Sequence, residues 1–288
     1  MQKGRIIKLI GGQYTVLDDQ KKRRVLKPLG VFRHRDISPK VGDIVDFDED
    51  SIHHVYERSN DLVRPPVANV DQAIILNAAK EPDFSFHLLD RFLVLVEKED
   101  ITPVIVVSKI DLLKDEELAL LKQQLTYYET MYDVYFTSVK QDDTLVPLKN
   151  LLKDKISVFA GQTGSGKSSL LNALDIKLKL ETGEISKALG RGRHTTRHSE
   201  LLELYGGLVA DTPGFSKLDF YQMDIDDLPV YYPDFFERSK DCKFRGCHHI
   251  NEPSCAVKKA VDSGEILKAR YQNYLLIYEE ISTIKKKY

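Results

Sequence analysis

Eight consecutive residues, Gly161-Gln162-Thr163-Gly164-Ser165-Gly166-Lys167-Ser168, spell G-x-x-x-x-G-K-S. Glycines at these spacings let the backbone curl until successive N–H groups point inward, a concavity that fits phosphate oxygens. The Lys167 ammonium can then reach β- and γ-phosphates, and the Ser168 hydroxyl is of the kind that ligates Mg²⁺; Ser169 joins the same nucleotide-binding set. A helix opening here directs its N-terminal dipole at the same anion. The loop alone does not choose between ATP and GTP, because kinases, ATPases and GTPases share it.

Further motifs narrow the choice. Asp211-Thr212-Pro213-Gly214 is a D-x-x-G behind an apolar run. There Asp211 can hold Mg²⁺ through water and the Gly214 N–H can sense a γ-phosphate. Between it and the phosphate loop, residues 189–198 form a polar, glycine-containing segment with Thr195 and Thr196. Thr196 is the first choice for a second Mg²⁺ ligand of a switch loop, and Thr195 the second. Ser108-Lys109-Ile110-Asp111 resembles the guanine motif N-K-x-D. The Asp carboxylate of that motif accepts from guanine N1–H and the 2-amino group, donors that adenine lacks, and a buried acceptor left unpaired is costly. Ser108 stands where Asn is usual and keeps one hydrogen bond of the amide's two. Thr137-Ser138-Val139-Lys140 resembles the S-A-K loop that touches guanine O6, through Ser138. The order is guanine motif, O6 loop, phosphate loop, switch threonine, D-x-x-G. Ras-like GTPases begin with the phosphate loop, so this order is circularly permuted, which is feasible because domain termini lie close together.

A separate constellation follows. Cys242-x₄-Cys247-x-His249-x₅-Cys255 offers three thiolates and an imidazole, a closed set suited to one structural Zn²⁺, with His248 as the alternative to His249. All three cysteines of the chain fall here, and an odd number argues against a disulfide framework.

The elements that must position these residues can be read from periodicity and turn signals. Residues 1–67 show short β-type runs at 5–10, 14–17, 25–27, 44–47 and 54–56, broken by Gly, Asp and Pro. That pattern predicts a small barrel of OB type, which periodicity alone does not separate from an SH3-like barrel. Arg64-Pro65-Pro66 reads as a stiff linker. Residues 68–222 alternate strands (73–76, 103–107, 134–136, 156–159, 201–205, 208–210) with helices (88–97, 115–131, 145–152, 168–174), predicting an α/β domain with parallel strands and a hairpin at Gly206-Gly207. Residues 223–288 read as a helical zinc-binding domain, with an apolar stripe of Leu267, Tyr271, Tyr274, Leu275 and Tyr278.

With 288 residues, 42% hydrophobic and 30% charged, the chain has the composition of a globular protein of two or three domains. No apolar run is long enough to span a membrane, and the first residues lack a secretory pattern, so a cytoplasmic location is expected. The net charge of −2 argues against a general nucleic-acid binder, although local basic clusters such as Lys21-Lys22-Arg23-Arg24 can meet phosphates.

Taken together, the permuted order, G-Q-T-G-S-G-K-S, G-R-H-T-T, D-T-P-G-F, C-x₄-C-x-H-x₅-C and the R-P-P-V-A-N-V-D-Q of residues 64–72 resemble the ribosome small-subunit-dependent GTPase A family (RsgA/YjeQ type) over nearly the whole chain. The resemblance implies an OB domain, a permuted GTPase domain and a C-terminal zinc-binding domain. It implies a GTPase of late 30S maturation that binds 16S rRNA, is stimulated by the subunit, works as a monomer and uses Mg²⁺ with GTP. Ras-like GTPases often orient the attacking water with a Gln after D-x-x-G. Phe215 takes that place here, so slow intrinsic hydrolysis is expected, and the family's candidate replacement is His194, whose other reading is a contact to rRNA. Two alternatives stand beside this: an RNA-binding assembly factor that uses GTP only as an affinity switch, and a P-loop ATPase, if S-K-I-D is accidental.

Overall fold

The computed structural model describes residues 1–30, 32, 38–174, 199–210, 219–221 and 223–285. Three hydrophobic clusters organise it. The N-terminal strands are β1 (Gln2–Ile10), β2 (Gln13–Asp18), β3 (Arg23–Pro28), β4 (Ile44–Phe47) and β5 (Ser51–Val55). β1 pairs with both β2 and β4, β2 with β3, β3 in parallel with β5, and β5 with β4, closing a five-stranded barrel in the order of the OB fold. Alternation aims Val16, Leu26, Val45, Phe47 and Ile52 inward. A bulge between Ile6 and Lys8 lets Ile6 and Ile7 both be buried.

The central sheet holds β6 (Gln72–Ala78), β7 (Thr102–Ser108), β8 (Asp133–Phe136), β9 (Ile156–Ala160), β10 (Ser199–Leu204) and β11 (Gly207–Ala210), in the order β10-β11-β9-β6-β7-β8. All neighbours are parallel except the β10–β11 hairpin. Helices α1 (Phe86–Lys98) and α2 (Asp115–Glu129) cover one face, and α3 (Val146–Leu151) and α4 (Lys167–Leu174) the other. Burial on both faces explains why β6, β7 and β9 are near-continuous apolar runs. The barrel is joined to this sheet through β1, which pairs with β10 at Lys8–Glu200 and Leu9–Ser199. Lys8 and Arg23 reinforce the join with ion pairs to Glu200 and Glu203, both 2.6 Å.

The C-terminal helices α5 (Pro233–Ser239), α6 (Ala256–Asp262) and α7 (Lys268–Lys285) gather around Tyr232, Phe235, Tyr274, Ile277 and Ile281. Val94 and Leu95 of α1 belong to this same cluster. Beneath it lies a buried charge group: Arg270, 1% exposed, donates to Asp90 and, at 2.8 Å, to Asp234, while its guanidinium lies over the Tyr128 and Tyr232 rings. Asn273 and Tyr128 also donate to Asp90, at 2.6 and 3.1 Å. Among the described residues no helix is long and apolar enough to cross a membrane.

Two local expectations change. The hairpin turns at Tyr205-Gly206, both at positive φ (49° and 81°), rather than at Gly206-Gly207. Gly207 already pairs with Leu204, and a Cβ there would overlap the Leu152 carbonyl oxygen. The last barrel strand runs Ser51–Val55, not 54–56, because the Asp48 carboxylate accepts from the Asp50 and Ser51 N–H groups and starts the strand earlier. Residues 64–66, read as a stiff linker, are followed by a segment tied down on both sides. Pro65 is buried, Val67 and Ala68 bridge to Val41 and Asp61, and Asn60 exchanges two hydrogen bonds with Val70.

Candidate functional site

The C-terminal ends of the parallel strands bring two distant motifs together. β9 delivers the glycine-rich loop between itself and α4, and β7 delivers Ser108. Gly161 (φ +137°) runs so close to β6 that a Cβ would overlap the Leu76 carbonyl oxygen. Gly164 and Gly166 also take positive φ, and Leu170 donates to Gly166 O at 2.8 Å as α4 opens. The Ser108 hydroxyl donates to the Ser165 carbonyl of the loop at 2.6 Å, so the guanine-type motif and the phosphate-type loop are tied directly to each other.

Around that tie the other candidates fall into place. Lys109 sits in the left-handed region (φ 58°), which turns the chain sharply after β7, and its ammonium bonds the Glu81 carbonyl. Ile110 anchors the turn in the core and its N–H donates to Thr137 O, while the Thr137 N–H donates to Val107 O at 2.8 Å. This sets the 137–140 loop beside Asp111. The Asp111 carboxylate accepts from Ser138 Oγ at 2.6 Å and Lys140 Nζ at 2.7 Å. Lys140 first, then Ser138, hold that carboxyl below its ordinary range, so it is a ready acceptor at neutral pH. The Lys167 ammonium reaches Gly161 O at 2.6 Å and Gln162 O at 2.9 Å inside the loop, and burial lowers its pKa to about 8. Ser168 and Ser169 are half-buried on the first turn of α4, and Gln162, Thr163 and Ser165 complete the loop. Such an arrangement can cradle a polyphosphate at one end and read a purine edge with a carboxylate at the other.

Sequence reasoning passed over two contributors. Lys140 closes an ion pair on Asp111, and the Glu81-Pro82 turn after β6 lies beside the loop, with Pro82 near Gly164. The first was visible as the last residue of T-S-V-K. The second carries no motif and becomes apparent only once β6 stands next to β9. His194, Thr195, Thr196, Asp211, Gly214 and Phe215 lie outside the described residues.

The second candidate centre lies in the C-terminal region. Cys242, Cys247, His249 and Cys255 place their ligand atoms within 4.8 Å of one another. Cys242 Sγ is 3.9 Å from Cys255 Sγ, and His249 Nδ1 is 3.8 and 3.3 Å from those sulfurs. A tetrahedral ion with metal–sulfur bonds of about 2.3 Å and a metal–nitrogen bond of about 2.0 Å needs edges near 3.8 and 3.6 Å, so the cluster could hold a metal ion. His249 is fully buried, which lowers its pKa to about 4 and keeps the imidazole in its ligating neutral form. Burial pushes the Cys247 thiol up to about 12, and a dication is the charge that would reverse this. Cys255 caps α6 through its sulfur, and Tyr271 donates to the His249 carbonyl at 2.6 Å. His248 points elsewhere: its Nε2 lies 3.3 Å from Asp226 and its Nδ1 3.3 Å from the Tyr278 hydroxyl. Of the two histidines, the structure therefore brings His249 to the cysteines.

Comparison with known proteins identifies relatives over the whole chain. Residues 3–55 match the family described as RsgA N-terminal domain, and residues 55–221 match the family described as RsgA GTPase. Among curated relatives, "Small ribosomal subunit biogenesis GTPase RsgA" of Geobacillus sp. strain WCH70 is 52% identical, and the protein of that name in Bacillus subtilis strain 168 is 47% identical, each over the full length of both chains. Two solved structures share the fold. YloQ, described as a circularly permuted GTPase, is 43% identical with a TM-score of 0.86 over 98% of this chain and 96% of its own. YjeQ from Thermotoga maritima is 36% identical with a TM-score of 0.88 over 97% of this chain and 98% of its own.

Proposed function

The chain belongs to the RsgA GTPase family, and from that premise we propose that it hydrolyses GTP in late maturation of the small ribosomal subunit, binding 16S rRNA and being stimulated by the subunit. The observation that carries the GTP reading is the 2.6 Å tie from Ser108 to Ser165, which sets Asp111 and the glycine-rich loop at one sheet edge. In this reading Asp111 accepts from guanine N1–H and the 2-amino group, Ser138 adjoins O6, and Lys109 lies along the base. Residues 161–169 wrap the phosphates, with Lys167 on the β- and γ-oxygens. Ser168 and Thr196 hold Mg²⁺, which supplies charge neutralisation at the phosphates. His194 orients the water, a general-base role for which a near-neutral imidazole is suited. Cys242, Cys247, His249 and Cys255 hold one structural Zn²⁺, a type of site that contributes to folding rather than to chemistry. The factor acts as a cytoplasmic monomer.

The test is GTP turnover with and without purified small subunits. Slow intrinsic turnover that rises by an order of magnitude or more with subunits is the expected result. Turnover indifferent to subunits, with subunit affinity that changes with the bound nucleotide, would replace this reading by that of an affinity switch.

A further inference from the structure

Beside the metal-type cluster lies a cleft of about 310 Å³ whose walls come from residues 226–230, from α5 and from the segment Cys242 to Cys247. Clefts of this size are at the small end for ligand sites, with room for one nucleoside rather than a helix. Two large aromatic residues line it without being covered: Phe236 of α5 is 47% exposed and Phe244 of the loop 44% exposed. Val230, also exposed, adds an apolar side chain. Uncovered rings that share one cleft mark a contact surface more than scattered apolar residues do.

Cations surround these rings. Lys240 Nζ lies 5.8 Å over the Phe236 ring and Lys243 Nζ 5.5 Å over the Phe244 ring. Arg245 is exposed and makes no hydrogen bond or ion pair among the described residues. The acids nearby are partly engaged: Glu237 by Lys240, and Asp226, which also lines the cleft, by His248. Exposed π-faces flanked by Lys and Arg suit a ligand that is flat and polarisable and carries phosphates on either side. An unpaired nucleotide has that chemistry, whereas a duplex keeps its base faces stacked. The loop bearing Phe244 runs between Cys242, whose sulfur accepts from the Ala256 N–H at 3.3 Å, and the buried Cys247, so its ring is presented by a short span.

We propose that this cleft receives an unpaired base of an RNA strand, stacked on the exposed aromatic rings with its neighbouring phosphates on Lys243 and Arg245. The inference rests on the reading that the protein's partner carries ribosomal RNA, and it names where a single-stranded element of that RNA would be held.

The test uses the full-length protein with a non-hydrolysable GTP analogue and a 12-nucleotide single-stranded RNA of mixed sequence containing 4-thiouridine. Fluorescence anisotropy gives affinity, photo-crosslinking maps the contact, and metal content checks that each variant keeps its C-terminal fold. Phe244→Ala and Phe236→Ala are each expected to weaken binding roughly tenfold, with Phe244→Trp close to the unaltered protein and the crosslink in the peptide containing Phe244. A duplex of the same sequence should not distinguish the variants. Unchanged affinity in Phe244→Ala, or a crosslink confined to the barrel, would overturn the proposal. So would weakened small-subunit binding with unchanged single-stranded RNA binding, which would mean that a ribosomal protein docks here. Failure of the unaltered protein to bind small subunits would count against the functional reading instead, and the oligonucleotide assay would still decide the cleft.

Discussion

Asp111 is held ionised by Lys140 and Ser138 and stands two residues after Lys109, whose left-handed φ of 58° turns the chain. Its carboxylate is thus aimed before any purine arrives. Asp111→Ala should cost about two orders of magnitude in GTP affinity and abolish the preference for GTP over ATP, since two charge-assisted bonds of about 1.5 kcal/mol each are lost. Competition binding with both nucleotides would show it, and an unchanged preference would mean that guanine is read elsewhere. Lys167 gives a pH-dependent counterpart. Burial lowers its pKa to about 8, so above that pH the free protein has lost the ammonium. Bound phosphates favour the charged form and raise the pKa again, so uptake of nucleotide above pH 8 also takes up a proton. Affinity for GDP should therefore be flat below pH 7 and fall by up to about tenfold per unit above 8. Titration calorimetry in buffers of different ionisation enthalpy would register the proton directly.

Among the elements, the sheet was the most legible part of the sequence. Runs such as residues 72–78 and 102–108 are apolar because both faces are covered, and the motifs sit at their ends. What periodicity misplaced were features decided by contacts from elsewhere in the chain. A Gly-Gly pair after Tyr205 looks like the turn, yet the turn takes Tyr205 and Gly206 because Gly207 must face the Leu152 carbonyl. Gly207→Ala should therefore lower stability by several kcal/mol, or shift the 151–155 segment, whereas Gly206→Ala meets only the strain of its positive φ, about 1 kcal/mol. Thermal unfolding of the two variants separates the cases, and equal losses would contradict the close approach as the cause.

For the molecule as a whole, the least legible feature is the charge group of Asp90, Asp234 and Arg270. No motif marks any of the three residues, and the partners come from α1, α5 and α7. Arg270→Met leaves Asp90, which is wholly buried, without its cation, and is expected to cost about 3–5 kcal/mol and to loosen the C-terminal helices from α1. Urea unfolding would then show a separate early transition with faster proteolysis after residue 220, and a single transition at the original midpoint would show that the apolar contacts of Val94 and Leu95 suffice. The group also joins the C-terminal helices to α1, the helix that follows the Glu81-Pro82 turn bordering the glycine-rich loop.

The short pairing of β1 with β10 sets a schedule for biosynthesis. Among the described residues, every other strand partner of β1 lies within the first 55 residues, so the barrel can close while the remainder is still being translated. Its last partner, around Ser199, emerges roughly 7–30 s after residue 55 at ordinary elongation rates of about 5–20 residues per second. During that interval the rim of β1 at Lys8 and Leu9 is an open strand edge, and its lysine charge gives it some protection against pairing with a neighbouring nascent chain.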